Sequence, residues 1–246
     1  GVELPMVDTN DETQETFDTH WESLYASGKH LNKWPYDHVV SFIRRASANS
    51  PLASPEDTRV LEVGFGAGNN LFAAATEQYD VSGIEASVSA VQYAQRRFEA
   101  AGLVGDLQVG DFTQLPWADE SFDIAIDRLA ITNTTYRGAQ LAIAEVFRTL
   151  KPGGRFLFNC FGPRFGDVEV PHAEGHLRVA DLSGSLEGVG AVTFYSRQGV
   201  ADIFGGQPWL VDAIQLVTTE SLIGPNDIQP NAISTEWRVV ARKQSA

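Results

Sequence analysis

The sequence predicts an α/β protein: a mostly parallel sheet with helices on both faces. Two observations carry that reading. Short apolar runs alternate with amphipathic ones from Arg59 to Cys160, and strands alternating with helices at this spacing build crossover units of a parallel sheet. The first of these runs also ends in three glycines at alternate positions, Gly64, Gly66 and Gly68. A glycine turn between a strand and a helix lies where such sheets bind ligands.

The elements follow in order. Residues 1–16 are polar and acidic without periodicity and read as a loose tail. Phe17, Trp21, Leu24 and Tyr25 fall at helical spacing, and a second helix starts after Pro35 with Val39, Val40, Phe42 and Ile43. Ala46–Asp57, with two prolines and three serines, reads as a linker. The alternation then runs as strand Arg59–Val63, helix Asn69–Gln78, strand Asp80–Glu85, helix Ser87–Ala101 with Ser87 as its cap, strand Asp106–Val109, strand Phe122–Asp127, helix Gly138–Leu150 and strand Arg155–Cys160. Lys151-Pro152-Gly153-Gly154 stops the last helix, because proline cannot continue it and glycine tolerates the reversal. Residues 162–190 break the rhythm and hold His172 and His176 among many glycines, as a long functional loop does. Order returns with Val192–Tyr195, a helix at Ser196–Phe204, and strands at Leu210–Val217 and Thr235–Ala241, the last two separated by the turn residues Gly224-Pro225-Asn226-Asp227 and Gln229-Pro230-Asn231.

Composition narrows the function classes. The 246 residues are 43% apolar, enough for an ordinary core. Asp and Glu outnumber Lys and Arg by 32 to 18, a net charge of −14, so a phosphate backbone is repelled and nucleic acid is not the expected partner. Cys160 is the single cysteine, which excludes an internal disulfide and a cysteine-rich zinc site. No stretch reaches the roughly 20 apolar residues of a membrane span, and Gly1–Asn10 lacks the basic and apolar regions of a signal peptide. A cytoplasmic monomer or homodimer with no membrane partner is the expectation.

The strongest signal is Glu62-Val63-Gly64-Phe65-Gly66-Ala67-Gly68-Asn69. A dinucleotide turn places its third glycine three residues after the second; here it arrives one residue early, and position 69 is Asn. Glu62 also sits badly beside a pyrophosphate and well beside a cationic ligand. The pattern resembles motif I of the class I S-adenosylmethionine-dependent methyltransferases, in their small-molecule branch. The resemblance continues through Glu85, Gly110-Asp111-Phe112, Leu115–Asp123 and Leu150–Arg155.

The resemblance implies a Rossmann-like sheet of seven strands with the last antiparallel. It implies a helical lid with the tail at 1–50, and a methyltransferase domain at 51–246 with an insertion at about 161–191. It also implies S-adenosyl-L-methionine as cofactor. Glu62 and Gly64, Gly66 and Gly68 would meet its methionine end, Glu85 and Ala86 its ribose, and Asp111 and Phe112 its adenine. Asp127 and Arg128 end the fourth strand at the ligand edge. Tyr25 and Trp34 belong to a lid whose aromatic faces would favour the sulfonium. Glu85 is also where an acid accepts ribose hydroxyl bonds on its spacing alone.

The expected reaction is methyl transfer to a small-molecule acceptor, first a hydroxyl of a sugar or secondary metabolite. Such an acceptor gains from a base near neutral pKa, and His172 and His176 are the candidates. A metal held by that pair is not expected, since Gly175 opposes the helix that i,i+4 histidines need to converge. The alternatives are an NAD(P)-dependent oxidoreductase, disfavoured by the glycine spacing, and a cofactor-binding or regulatory protein without chemistry.

Overall fold

In the computed structural model, which describes residues 19–28, 30–48, 54–222 and 232–245, the main sheet is built strand by strand as the apolar runs require. Its strands are β1 (Arg59–Val63), β2 (Asp80–Glu85), β3 (Asp106–Val109), β4 (Phe122–Arg128), β5 (Leu150–Phe165), β9 (Trp209–Ser221) and β10 (Ala232–Lys243), in the order β3-β2-β1-β4-β5-β10-β9. β1 pairs in parallel with β2 and β4, and β4 in parallel with β5. β10 runs antiparallel to both its neighbours. The seven-stranded path with an antiparallel last strand is thus the one the sequence predicts. The expected tail at 1–16, Phe17 and the turn residues from Gly224 to Asn231 lie outside the described residues.

Helices cover both faces because alternate strand residues point to opposite sides. Val60, Val81, Ile124 and Leu157 meet α2 (Asp37–Ala48), α3 (Asn69–Thr76) and α4 (Val88–Ala100) in one core. Leu61, Ala125, Phe156 and Val239 meet α5 (Tyr136–Thr149) and α6 (Arg197–Asp202) in the other. Predicted caps hold: the Ser87 hydroxyl accepts from the Ala90 amide and the Ser196 hydroxyl from Gly199. Thr135 does the same for Gly138 at the start of α5. The expected boundary at residue 50 does not divide the packing, since Val39, Phe42, Ile43 and Ala46 of α2 belong to the core of the sheet. Only α1 (His20–Ala26) stands apart from it.

The break in rhythm after Cys160 has structure of its own. β5 continues to Phe165 and folds back on β6 (Val168–Glu169), and β7 (His176–Val179) pairs antiparallel with β8 (Val192–Tyr195). Valines from these strands form a third apolar cluster with Leu182, Val189 and Phe194, and Trp21 and Leu24 of α1 pack on it. Arg178, buried on β7, donates to the carbonyls of Thr134 (2.6 Å) and Asn133 (3.2 Å). The insertion is therefore fastened to the loop after β4.

Candidate functional site

At the carboxyl ends of β1, β2 and β4 lies a cavity of about 260 Å³. Its floor is the glycine turn. Gly64, Gly66 and Gly68 have φ of +65°, +54° and +71°, a region that side-chain-bearing residues avoid. Space demands glycine as well: a Cβ on Gly64 would lie 2.1 Å from the Ala130 Cβ, and one on Gly66 would strike the Tyr25 hydroxyl. Gly68 caps α3 rather than lining the cavity. Leu129 and His30, two lining residues that are not glycine, also hold positive φ, +57° and +61°. Such strain gathers at functional sites.

The charged side of the cavity is unusually dry. Glu62 accepts a 2.7 Å bond from Asn70 Nδ2 on Oε1, while its buried Oε2 has no partner. Burial pushes its pKa up to about 8, which the Asn70 bond only partly opposes, and the nearby Asp127 adds to the rise. Asn70 also accepts from the Tyr36 amide (3.0 Å), so one amide side chain orients Glu62 and ties down the chain entering α2. Glu85 accepts from the backbone amides of Gly66 and Ser87, both at 2.9 Å, and burial still raises its pKa. Asp127 stands fully buried behind the lining. Its Oδ1 accepts from Ala130 and Ile131, its Oδ2 has no partner, and burial lifts its pKa to about 7. The Arg128 guanidinium lies 3.9 Å from the centre of the Tyr36 ring, with an unpartnered Nε.

The remaining walls come from outside the sheet. Trp21 and Tyr25 of α1 line the cavity. Burial, with Glu85 next, raises the Tyr25 phenol's pKa. Glu22 on the same helix accepts from the Ser87 hydroxyl (2.6 Å) and from the Ser89 hydroxyl and amide at the start of α4. These bonds hold its pKa below the usual carboxylate value despite partial burial. Phe161, Ser185, Leu186 and Val189 contribute the insertion side.

Of the residues singled out in the sequence, Glu62, Gly64, Gly66, Glu85, Ala86, Phe112, Arg128 and Tyr25 meet in this cavity. Trp34 does not. Its side chain is 80% exposed, and only its carbonyl matters here, accepting from Asn69 Nδ2 at 2.8 Å. Asp111 lies beside Phe112, outside the lining, where Oδ1 accepts from the Thr113 amide and hydroxyl. The two histidines are not brought here either. His172 starts a 3-10 turn and lines a separate groove with Trp237 and Leu216. His176 stacks on Tyr136 with centroids 4.2 Å apart, and burial lowers its pKa. Residues the sequence reading missed include His30, Asn70, Leu129, Asn133 and Val189. Asn70, one residue after the anomalous Asn69, had a signal in its position; the insertion residues had none.

An amino-acid ligand fits this chemistry. An ammonium would satisfy Glu62 Oε2 and a carboxylate Arg128, while Glu85 keeps lone pairs for hydroxyls. A pyrophosphate would meet two buried carboxylates instead. The site and sheet together define a Rossmann-like protein of the S-adenosylmethionine-binding kind.

Comparison with known proteins agrees. A family model described as a methyltransferase domain matches residues 60–154. An uncharacterised protein of Haemophilus influenzae is 35% identical over 188 residues, which are 74% of this chain and 75% of that protein. A fatty-acid O-methyltransferase of Mycolicibacterium smegmatis is 31% identical over 132 residues, but these are 53% of this chain and 46% of that enzyme. The match therefore spans about half of that enzyme's length. The crystal structure of a SAM-dependent methyltransferase from Methanosarcina mazei superposes with a TM-score of 0.60 at 20% identity, covering 78% of this chain and 94% of that one. The chain belongs to the class I S-adenosylmethionine-dependent methyltransferases. No helix among the described residues is long and apolar enough to cross a membrane.

Proposed function

We propose that this protein transfers the methyl group of S-adenosyl-L-methionine to a small-molecule acceptor, in the first instance a hydroxyl of a sugar or secondary metabolite. The observation that best supports the cofactor is Glu62 Oε2, a buried carboxylate oxygen without a partner above a turn of left-handed glycines. An unpaired buried charge is costly, and a ligand ammonium removes that cost. In this reading Glu62 holds the ammonium and Arg128 the carboxylate of the methionine end. Glu85 and Ala86 take the ribose, Asp111 and Phe112 the adenine, and Tyr25 closes over the turn. Asp127 holds the loop after β4 through the amides of Ala130 and Ile131.

When bound, the cofactor supplies an electrophilic sulfonium methyl. The chain has then to align an acceptor in line with it and exclude water. α1 and the insertion wall the cavity for that purpose. Transfer to a hydroxyl yields a methyl ether and S-adenosyl-L-homocysteine and releases one proton. His172 and His176 lie outside the cavity, so a base acting from within must come from elsewhere.

Titration calorimetry with S-adenosylhomocysteine and with NAD tests the cofactor assignment, and labelled methyl transfer across a panel of small alcohols, sugars and phenols tests the reaction. Binding of S-adenosylhomocysteine with labelled product is the expected result. Tight NAD binding with no response to S-adenosylhomocysteine would sink the proposal. Cofactor binding with no labelled product across the panel would favour a binding protein.

A further inference from the structure

The cavity has two unlike halves. The half at the strand ends carries Glu62, Glu85 and Arg128. The half between α1 and the insertion is walled by Trp21, Phe161, Leu186 and Val189, with Ser185 and His30 as its polar members. Trp21, Phe161 and Leu186 pack on the apolar cluster that contains Val189, so the wall is one continuous apolar body. A charged acceptor would lose its water there and meet no fixed opposite charge.

Two polar groups stand together at this wall. The Trp21 and His30 rings meet edge to face, with centroids 5.5 Å apart. The Trp21 Nε1–H is buried and has no hydrogen-bond partner, a debt of the kind native structures settle with ligand or water. Indole nitrogen can only donate, whereas neutral imidazole can accept. A hydroxyl, alone among simple oxygen groups, both accepts from the first and donates to the second. His30 sits in a left-handed backbone conformation, φ +61°, uncommon outside glycine, and it is exposed, so a proton it takes has a path to water.

We propose that this half of the cavity binds an uncharged acceptor with an apolar, aromatic or alkyl body, its hydroxyl held between Trp21 Nε1–H and His30. The proposal rests on the methyltransfer reading and narrows it, moving the acceptor away from a bare sugar. The hydroxyl oxygen gains the methyl group, the donor sulfur keeps the electron pair of its broken bond, and the hydroxyl proton passes to the His30 imidazole and on to solvent.

The test uses the full chain saturated with S-adenosylhomocysteine and three probes. These are 2-naphthol, its ether 2-methoxynaphthalene, which can accept but not donate, and the anion 2-naphthoate. Binding is read by quenching of tryptophan fluorescence and by calorimetry. The naphthol is expected to bind about tenfold more tightly than the ether, and the naphthoate most weakly. His30→Gly, which relieves the backbone rather than straining it, should erase the preference for naphthol over the ether. Trp21→Phe should weaken both neutral probes alike. Equal binding of all three probes, or a naphthol preference that survives both substitutions, would overturn the proposal. A protein that does not bind S-adenosylhomocysteine at all would instead defeat the methyltransfer reading on which it stands.

Discussion

Glu62 carries more of the chemistry than any other side chain. With its pKa raised to about 8 by burial, it is protonated in the free protein near neutral pH. A ligand ammonium favours the carboxylate, so binding must expel that proton. Affinity for S-adenosylhomocysteine should therefore rise from pH 6 to pH 8 by up to about tenfold per unit, the limit for one linked proton. Calorimetry in buffers of different ionisation enthalpy should show a released proton in that range. Glu62→Gln should weaken binding and flatten the pH slope; a slope unchanged in that variant would move the titration to Asp127 or Glu85. The same shift acts on stability with the opposite sign. The folded state holds this proton more tightly than the unfolded chain, so its contribution is complete below about pH 4.5 and is lost as pH rises through about 8. Gly64→Ala is the steric counterpart. Its Cβ would lie 2.1 Å from the Ala130 Cβ at a positive φ, and cofactor binding should fall by at least about tenfold, since an overpacked, strained site typically costs 1–3 kcal/mol.

At the scale of elements, α1 is held over the cavity chiefly by Glu22 on the start of α4, where a carboxylate meets free amides and the positive end of the helix. Glu22→Ala should loosen α1 by about 1–2 kcal/mol, the worth of hydrogen bonds to a charged group at a helix start. Hydrogen exchange should accelerate at residues 20–28 and S-adenosylhomocysteine should dissociate faster, while exchange in β1 and β4 stays unchanged. Equal acceleration in the sheet would make Glu22 a general stability residue instead. The periodicity of Trp21, Leu24 and Tyr25 revealed this helix in the sequence, and Pro35 marked the next. Its docking was not legible, because Glu22 is an ordinary acid until folding brings Ser87 and Ser89, more than 60 residues away, beside it. Trp34 shows the reverse failure: an aromatic in the right segment, turned to solvent because its carbonyl, not its ring, anchors the loop. His172 and His176 were placed by region alone, and the strands of the insertion direct one to a separate groove and the other against Tyr136.

For the whole molecule, strand order followed from local rules, since each crossover is short and each turn carries its glycine or cap. What resisted reading was the joining of distant parts: α1, the loop after β4 and the insertion meet only through the valine cluster and the Arg178 bonds to Asn133 and Thr134. Because the cavity touches all three and the sheet, a ligand there should stabilise them as one unit. At 100 times its dissociation constant, S-adenosylhomocysteine would add about 2.7 kcal/mol, which for a chain of this size raises Tm by roughly 5–10 °C. The rise should be larger at pH 8 than at pH 6, where Glu62 must first lose its proton, and absent with NAD. Exchange protection should extend beyond residues 62–68 to residues 20–36 and 129–134 and to the insertion around Val189. Protection confined to the glycine turn would mean that lid and insertion move independently of the cofactor, and that the acceptor wall is assembled by the acceptor itself.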